Sequence, residues 1–394
     1  VSPGHNRRLS HQPPKRTSPL MFTRHRRSLL LSMALPATIA LASGALAANG
    51  RFEGNIQVLF ASNRGPAEAA GAEAASPAPA EPEPGAWLGD RRGSLQYGVC
   101  TMNFSDIPAI SYLSERLPFY LPNQTRRLAA VERLEEDAFW SRIGRGCTGQ
   151  PPLGYIHGYN IDFAKACRRA AVFQSVLGLD GGLALFSWPS LGTALEYAED
   201  ETNVRWSVPQ IEAFVRGLVD RSPTGQVDLV AHSLGSRGLL DALENLACEL
   251  HPRVPIRQLV LVAPDVDAAT GADQLARIRS LAERITLYVA DSDKPLRLSR
   301  ELHGYPRLGE AGDFLQPIPG VEIIDVSDVA AYELSGHLYH LYLPPAIADI
   351  RRLLATGAGA DQRPGLERRW IDGRPRCSPG CGCSGWVRPR NPPV

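Results

Sequence analysis

A serine placed between an apolar run and a helix-like segment is the strongest candidate for chemistry in this sequence of 394 residues. Residues 226–235 read Gln-Val-Asp-Leu-Val-Ala-His-Ser-Leu-Gly, so that Ser233 has Ala231 two positions before it and Gly235 two positions after it. A tight strand-to-helix turn needs small residues at these positions, because larger side chains would collide with the neighbouring backbone. The pattern predicts a nucleophile exposed at a helix N-terminus, and the alternative is a serine that only caps the helix.

A nucleophilic serine of this kind needs an acid and a histidine that follow it in the chain. His337 lies in a predicted loop after the last apolar run and is the preferred base, with His340 as its competitor. Asp293 follows the run at 285–290 and is the predicted acid. Asp265 follows the preceding run and is the alternative acid, but it is equally suited to capping a loop.

A second motif upstream could supply hydrogen-bond donors to a developing oxyanion. His157-Gly-Tyr-Asn160 ends one apolar run just before a helix-like segment. Gly158 would let the backbone N–H of Tyr159 or Asn160 point at the oxyanion, and the N–H of Leu234 would be the other donor. The alternative is a polar turn in which Asn160 caps the helix.

Short apolar runs alternate with amphipathic segments of helical length through most of the chain, which predicts a mostly parallel central sheet with helices on both faces. The class is therefore α/β with a doubly wound architecture. The predicted strands are residues 57–61, 154–157, 183–188, 227–231, 258–263, 285–290 and 321–326, with further structure at 95–104. The predicted helices are residues 128–139, 163–177, 209–219, 236–246, 271–281 and 345–354.

Composition divides the chain into one folded region and flanking segments. Hydrophobic residues make up 44% of it, enough for a sizeable core, whereas 36 Gly and 33 Pro indicate stretches without regular structure. We predict one folded domain over 48–356, with a disordered Pro/Ala-rich insertion at 65–85. Residues 357–394 are predicted to be a disordered tail rich in Arg, Pro and Cys.

The N-terminal 47 residues read as an upstream segment and a secretory signal. Arg24, Arg26 and Arg27 precede an uncharged apolar run at 29–43, and Ala45-Leu-Ala47 follows it. This series predicts cleavage after Ala47 and a periplasmic or secreted protein. The run is short for a span of about 20 residues. An uncleaved anchor, with membrane association, is the alternative.

The distribution of charge argues against nucleic acid as a partner, and the cysteines indicate where disulfides or a zinc site could form. Residues 1–27 carry seven Arg or Lys and no acid, so the remainder of a chain with net charge +1 carries −6, which disfavours nucleic-acid binding. An exported chain permits disulfides, and Cys100 with Cys147 is the pair predicted first. Cys377, Cys381 and Cys383 lack the number and spacing of thiolates for a zinc site.

Several short motifs occur in one order between about residues 56 and 354. They are His157-Gly-Tyr-Asn160, Phe186-Ser-Trp-Pro189, Glu196-Tyr197 with Asp200, Trp206-Ser207, Ala231-His-Ser-Leu-Gly235, Asp291-Ser-Asp293 and Gly336-His337. In this series the chain resembles the alpha/beta hydrolases of unknown function grouped as the DUF900 family. The resemblance implies the alpha/beta-hydrolase fold and a serine hydrolase of the esterase or lipase type, with Ser233, Asp293 and His337 as the triad.

The expected function is hydrolysis of a small-molecule or lipid ester through an acyl-enzyme, a reaction that calls for no metal or organic cofactor. Trp188 and Tyr197 are candidates for lining an apolar substrate pocket, and core packing is the alternative for Trp188. Thioesterase or acyltransferase chemistry would use the same triad. The competing hypothesis is a non-catalytic binding protein of the cell envelope built on this fold.

Overall fold

One eleven-stranded sheet runs through the part of the chain that the structure describes. In this computed structural model the described residues are 54–66, 84–85, 87–106, 124–147, 149–179, 181–192, 196–251, 253–312, 314–369 and 386–389. The strands are β1 (Gly54–Arg64), β2 (Arg92–Asp106), β3 (Gln124–Leu134), β4 (Leu153–Ile156), β5 (Leu183–Ser187), β6 (Val227–His232), β7 (Ile256–Val262), β8 (Ala282–Val289), β9 (Val321–Asp325), β10 (Leu366–Arg369) and β11 (Trp386–Pro389).

The strand order across the sheet is β10-β11-β9-β8-β7-β6-β4-β5-β1-β2-β3. From β9 to β1 all neighbouring strands are parallel. The pairs β1–β2 and β2–β3 are antiparallel at one side of the sheet, as is β10–β11 at the other. Every residue of β4, β5 and β6 is buried, as a parallel sheet covered on both faces requires. The predicted α/β architecture is confirmed.

Ten helices of the described part connect or flank these strands. They are α1 (Glu136–Gly146), α2 (Phe163–Leu177), α3 (Tyr197–Trp206), α4 (Val208–Asp220), α5 (Gly235–Leu250), α6 (Ala268–Ile278), α7 (Lys294–His303), α8 (Ser327–Ala330), α9 (Tyr339–Tyr342) and α10 (Pro344–Thr356). None of the helices in this part has both the length and the apolar character needed to cross a bilayer.

Two hydrophobic clusters cover the two faces of the sheet. Alternate residues of β6 belong to different clusters: Leu229 and Ala231 pack with α4 and α5, whereas Val230 packs with α2 and α10. This alternation follows from the period of two along a strand. The helices therefore divide between the faces and hold the strand ends, and the loops that follow them, in fixed positions.

The helix predicted over 128–139 is wrong for its first half, which forms the strand β3. The register of β3 against β2 shifts by one residue between Thr101 and Met102. Because of this bulge, Leu128 and Val131 pack against the same cluster although they are three residues apart. A spacing of three is also the spacing of a helix face, so the sequence pattern indicated the wrong element. The polar helix α3 was not predicted at all, because it buries Asp200 and Asn203 and has no apolar stripe.

The predicted pairing of Cys100 with Cys147 is also wrong. Cys100 on β2 is bonded to Cys167 on α2, with the two Cα atoms 6.5 Å apart. Both residues belong to the cluster between the sheet and α2, whereas Cys147 follows α1 and is a free thiol. The pairing joins two elements that are 67 residues apart in sequence but in contact in the fold.

Residues 357–369, which the sequence placed in a disordered tail, are part of the fold in this structure. Arg363 is buried and donates from Nε to Asp349 of α10 at 2.9 Å, and it also pairs with Glu322 of β9. Strands β10 and β11 then extend the sheet beyond β9. The signal segment and residues 67–83 of the insertion lie outside the described residues.

Candidate active site

The serine of the Ala-His-Ser-Leu-Gly motif occupies the turn between β6 and α5. Ser233 has a φ of +53°, a value that is rare for any residue other than glycine, and its side chain is 2% exposed. Three backbone hydrogen bonds fix the turn. Ser233 N–H donates to the Val262 carbonyl at 3.0 Å, and the Ser233 carbonyl accepts from Ser236 N–H at 3.0 Å and from Asp265 N–H at 3.1 Å. A conformation of this kind persists only where the surrounding structure imposes it.

Two glycines make this turn sterically feasible. A Cβ atom added to Gly158 would lie 2.8 Å from the Cβ of Ser233, and one added to Gly235 would lie 2.3 Å from the carbonyl oxygen of His157. Both distances are shorter than real side chains show, and the second contact is with backbone that cannot move aside. The His157–Asn160 loop therefore lies directly against the serine turn, as the sequence motifs predicted.

Asp293 and His337 form a buried hydrogen-bonded pair. His337 Nδ1 lies 2.7 Å from Asp293 Oδ2, and the two side chains are 7% and 0% exposed. The other carboxylate oxygen accepts the backbone N–H of Leu296 at 2.9 Å and so caps α7. Burial raises the pKa of the Asp293 carboxyl, and the His337 imidazole opposes this shift.

The pair lies beside the serine turn. The ring of His337 is 4.5 Å from the ring of His232, the residue that precedes Ser233, and the His337 carbonyl lies 3.2 Å from His232 Nε2. Ser233 follows β6, Asp293 follows β8 and His337 follows β9, and these three strands are parallel neighbours or near neighbours. The carboxyl ends of parallel strands share one edge of a sheet, which is where α/β folds place their sites.

The alternative acid has different partners. Asp265 is 2% exposed, and its Oδ1 accepts from Arg307 Nε at 2.8 Å and from Ser299 Oγ at 2.7 Å. Its Oδ2 accepts the hydroxyl of Tyr197 at 2.6 Å. With both oxygens occupied and a buried arginine to balance its charge, Asp265 is an ion-pair residue in this structure and does not contact His337.

The alternative base has no acid partner in the described part of the chain. His340 is fully buried, and its Nε2 lies 3.5 Å from the hydroxyl of Tyr155. Its ring packs 4.6 Å from that of His232, with no acceptor for its Nδ1. Burial lowers the pKa of His340 far below its usual value. A neutral, enclosed imidazole of this kind is a packing residue.

Of the two upstream backbone donors that the sequence left open, one is already used. Asn160 has a φ of +60°, and its N–H donates to Asp200 Oδ2 at 3.0 Å. Among the described residues, no acceptor is found for the backbone N–H of Tyr159 or of Leu234. These two are the donors left for a ligand. Asp200 also accepts from Ser190, and burial raises its pKa.

Trp188 and Tyr197, the candidates for a substrate pocket, pack against the His157–Asn160 loop. Trp188 is fully buried, stacks on the ring of His157 and donates its indole N–H to the His157 carbonyl at 2.8 Å. Tyr197 is half-buried, and its ring packs edge-on against Tyr159 at 5.2 Å while its hydroxyl binds Asp265. Trp188 has no exposed surface and its indole is held against His157, so it packs in the core, which was the alternative for this residue.

Arg64 is a supporting residue that the sequence reasoning missed. It is 1% exposed at the end of β1 and donates to Ser187 Oγ and to the carbonyls of Ser190 and Ile161. Burial lowers its pKa to about 10. An arginine at the end of a run of buried strand residues could have indicated this supporting role, because a buried charge must be paired or fully hydrogen-bonded. Through its hydrogen bonds to Ile161 and Ser190, Arg64 links the loop after β4 to the loop after β5.

The arrangement can perform nucleophilic chemistry of the acyl-transfer type. It combines a hydroxyl on a strained turn, an imidazole oriented by a buried carboxylate, and two backbone N–H groups without acceptors. No group of three or more His, Cys, Asp or Glu side chains that could hold a metal ion occurs among the described residues.

A serine turn after β6, an acid after β8 and a histidine after β9 of a mostly parallel sheet define an alpha/beta hydrolase. The family model described as "Alpha/beta hydrolase of unknown function (DUF900)" matches residues 153–355, just over half of the chain, and the protein belongs to this family. The resemblance seen in the sequence motifs is thereby confirmed.

Similar solved structures are distant in sequence. A predicted CIB-like hydrolase from Thermoplasma acidophilum is 14% identical, with 58% of this chain and 89% of that chain covered and a TM-score of 0.30. Carboxylesterase CesB from Bacillus subtilis is 14% identical, with coverages of 54% and 86% and a TM-score of 0.28. Esterase Est22 is 12% identical, with coverages of 84% and 88% and a TM-score of 0.28. No curated protein sequence matches the chain.

Proposed function

We propose that the protein is a serine hydrolase that cleaves carboxylic esters through an acyl-enzyme. The observation that carries the proposal is the buried 2.7 Å pair of His337 and Asp293 beside a serine held at positive φ. A serine hydroxyl is a weak nucleophile unless a neighbouring base removes its proton, and an oriented imidazole is the usual base. Helix capping alone would require neither the pair nor the strained turn.

In the proposed mechanism Ser233 Oγ attacks the ester carbonyl while His337 accepts the hydroxyl proton. The N–H groups of Leu234 and Tyr159 stabilise the oxyanion of the tetrahedral intermediate. His337 then gives its proton to the leaving alcohol, which departs and leaves an acyl group on the serine. Water, deprotonated by the same imidazole, attacks the acyl-enzyme and releases the carboxylic acid.

Asp293 has two functions in this scheme. It holds the imidazole with its proton on Nδ1, so that Nε2 is free to accept the serine proton, and it stabilises the imidazolium that forms. None of these steps calls for a metal ion or an organic cofactor. The substrate class is a small-molecule or lipid ester, and thioester cleavage or acyl transfer would use the same residues.

The test is labelling by a fluorophosphonate probe together with hydrolysis of a p-nitrophenyl ester. Ser233→Ala should abolish labelling and reduce turnover by at least ~10⁴-fold, because a triad nucleophile contributes several orders of magnitude. Ser236→Ala is the matched control, since Ser236 is a buried serine in the first turn of α5, three residues after Ser233, and its Oγ has no hydrogen-bond partner among the described residues. Turnover retained by Ser233→Ala contradicts the proposal. A folded wild-type protein that neither reacts nor labels would support the non-catalytic binding role.

We also propose that the protein is exported to the periplasm or secreted. The support is the series of arginines, apolar run and small residues that ends at Ala47. N-terminal sequencing of the protein recovered from the cell envelope should begin at Ala48. A product that still contains residues 29–43 would favour an uncleaved anchor and membrane association.

A further inference from the structure

A single carboxylate organises the loop that carries His337. Glu333 Oε2 accepts the backbone N–H of His337 at 3.0 Å and those of Ser335 and Leu338 at 3.2 Å each. It also accepts the hydroxyl of Ser335. These hydrogen bonds lower the pKa of the Glu333 carboxyl although burial acts in the opposite direction, so the group is a carboxylate at neutral pH.

The same loop is held against the acid from its other side. Gly336 has a φ of +69°, and a Cβ on it would lie 2.4 Å from the carbonyl of Ser292, the residue before Asp293. The backbone N–H of Lys294 donates to the Ser335 carbonyl at 3.0 Å. The loop therefore packs directly on the segment that presents Asp293.

We propose that Glu333 is a positioning residue, which fixes the backbone of His337 so that its imidazole keeps the bond to Asp293 and the approach to Ser233. The inference rests on the proposed function. Residues 331–338 contain no helix or strand, so hydrogen bonds to neighbouring backbone must replace the regular ladder that would otherwise fix His337. Charge-assisted bonds are about twice as strong as neutral ones, which suits a carboxylate to this task.

The experiment compares Glu333→Ala, Glu333→Gln and Glu301→Ala in ester hydrolysis. We expect Glu333→Ala to lower kcat about 100-fold, because displacement of a catalytic group by about 1 Å costs ~10²-fold, with KM changed less than about 3-fold. Glu333→Gln should stay within about 5-fold of wild type, because the amide oxygen accepts the same bonds without the charge. Glu301 is an exposed carboxylate on α7, so Glu301→Ala controls for the loss of one negative charge from the protein and should match wild type.

A second measurement does not depend on turnover. The Nδ1 proton of His337, shared with Asp293, should give a downfield proton NMR resonance that disappears in His337→Gln. Glu333→Ala should broaden or abolish this resonance, whereas Glu301→Ala should keep it. If Glu333→Ala does not fold, Ser335→Ala, which removes only the hydroxyl bonds to the carboxylate and the loop, should lower kcat about 5-fold at unchanged KM.

The outcomes distinguish failure of the positioning role from failure of the proposed function. If the wild type is active and Glu333→Ala retains kcat within about 3-fold and an unchanged resonance, the positioning role is wrong and the triad stands. Where Glu333→Ala does not fold, the role is refuted by a Ser335→Ala protein with the kcat and resonance of the wild type. If the wild type neither hydrolyses esters nor labels, the proposed function is wrong, and the resonance still decides whether Glu333 holds His337 against Asp293.

Discussion

Replacement of Asp293 by asparagine separates the proposed catalytic role of this residue from its structural role as the cap of α7. Asp293 Oδ1 caps α7 through Leu296 N–H, and Oδ2 accepts from His337 Nδ1. Asparagine is as good a cap as aspartate, so its carbonyl oxygen can retain the first bond. Its NH₂ group then faces His337, and two donors cannot pair. The imidazole must therefore present an unprotonated Nδ1 and carry its proton on Nε2.

The expected loss of kcat follows from this change of tautomer. With its proton on Nε2, His337 cannot accept the proton of Ser233, and the same substitution costs about 10⁴-fold in kcat in the best-studied triad. That factor corresponds to about 5.5 kcal/mol of transition-state free energy. We expect Asp293→Asn to lose at least ~100-fold in kcat. Its free energy of unfolding should change by less than about 1 kcal/mol, because the cap is retained.

Asp265→Asn is the comparison that makes the result decisive. Asp265 balances the charge of Arg307, and both side chains are 3% exposed. Loss of one partner of a buried ion pair costs about 3–5 kcal/mol, and an amide oxygen that still accepts a bond places this variant near the lower figure. A loss of about 3 kcal/mol should lower Tm by about 5 to 10 °C. We expect kcat to change less than about 5-fold, since the backbone N–H that holds Ser233 is unaffected.

The assay measures kcat for a p-nitrophenyl ester and Tm by circular dichroism for both variants under the same conditions. The expected pattern is an inactive, stable Asp293→Asn protein and an active, destabilised Asp265→Asn protein. The reverse pattern would show that the acid follows β7 and that the pairing of His337 with Asp293 has no catalytic consequence.

Three further predictions concern the glycine contact, the disulfide and the buried histidine. Gly158→Ala should lower kcat/KM at least ~100-fold with an unchanged circular dichroism spectrum, because its Cβ would lie 2.8 Å from that of Ser233; wild-type kinetics would refute the steric argument. Reduction of Cys100–Cys167 by dithiothreitol should lower the free energy of unfolding, measured with urea, by up to about 4 kcal/mol. This is the free energy that corresponds to the entropy of closing a 67-residue loop in the unfolded chain, and an unchanged free energy after reduction would contradict the pairing. The pKa of buried His340 lies below its unfolded value near 6.5, so its contribution to stability is present above that pH and is lost as pH falls. Below about pH 6.5 the unfolding free energy of His340→Leu should fall less steeply with falling pH than that of wild type, by at most about 1.4 kcal/mol per pH unit, which is the limit for one proton. Equal slopes would contradict this.

The amino-acid sequence by itself determined the fold class and the position of the serine turn. Alternating apolar runs and amphipathic segments define strands and helices by their periods, which are properties of the local chain. The small residues around Ser233 are likewise a local steric requirement, and the structure explains Gly235 by its contact with the His157 carbonyl. The order of serine, acid and histidine follows from chain topology, so the candidates could be narrowed to a few residues.

Only the tertiary structure decided between candidates that were locally equivalent. Asp293 and Asp265 both follow buried strands, and only the folded chain shows that Asp293 contacts His337 whereas Asp265 contacts Arg307. The bond of Cys100 to Cys167, the strand β3, and the packing of residues 357–369 depend in the same way on contacts between distant segments. Local sequence sets which conformations are accessible, whereas burial, charge pairing and strand register are settled by which distant groups the folded chain brings into contact.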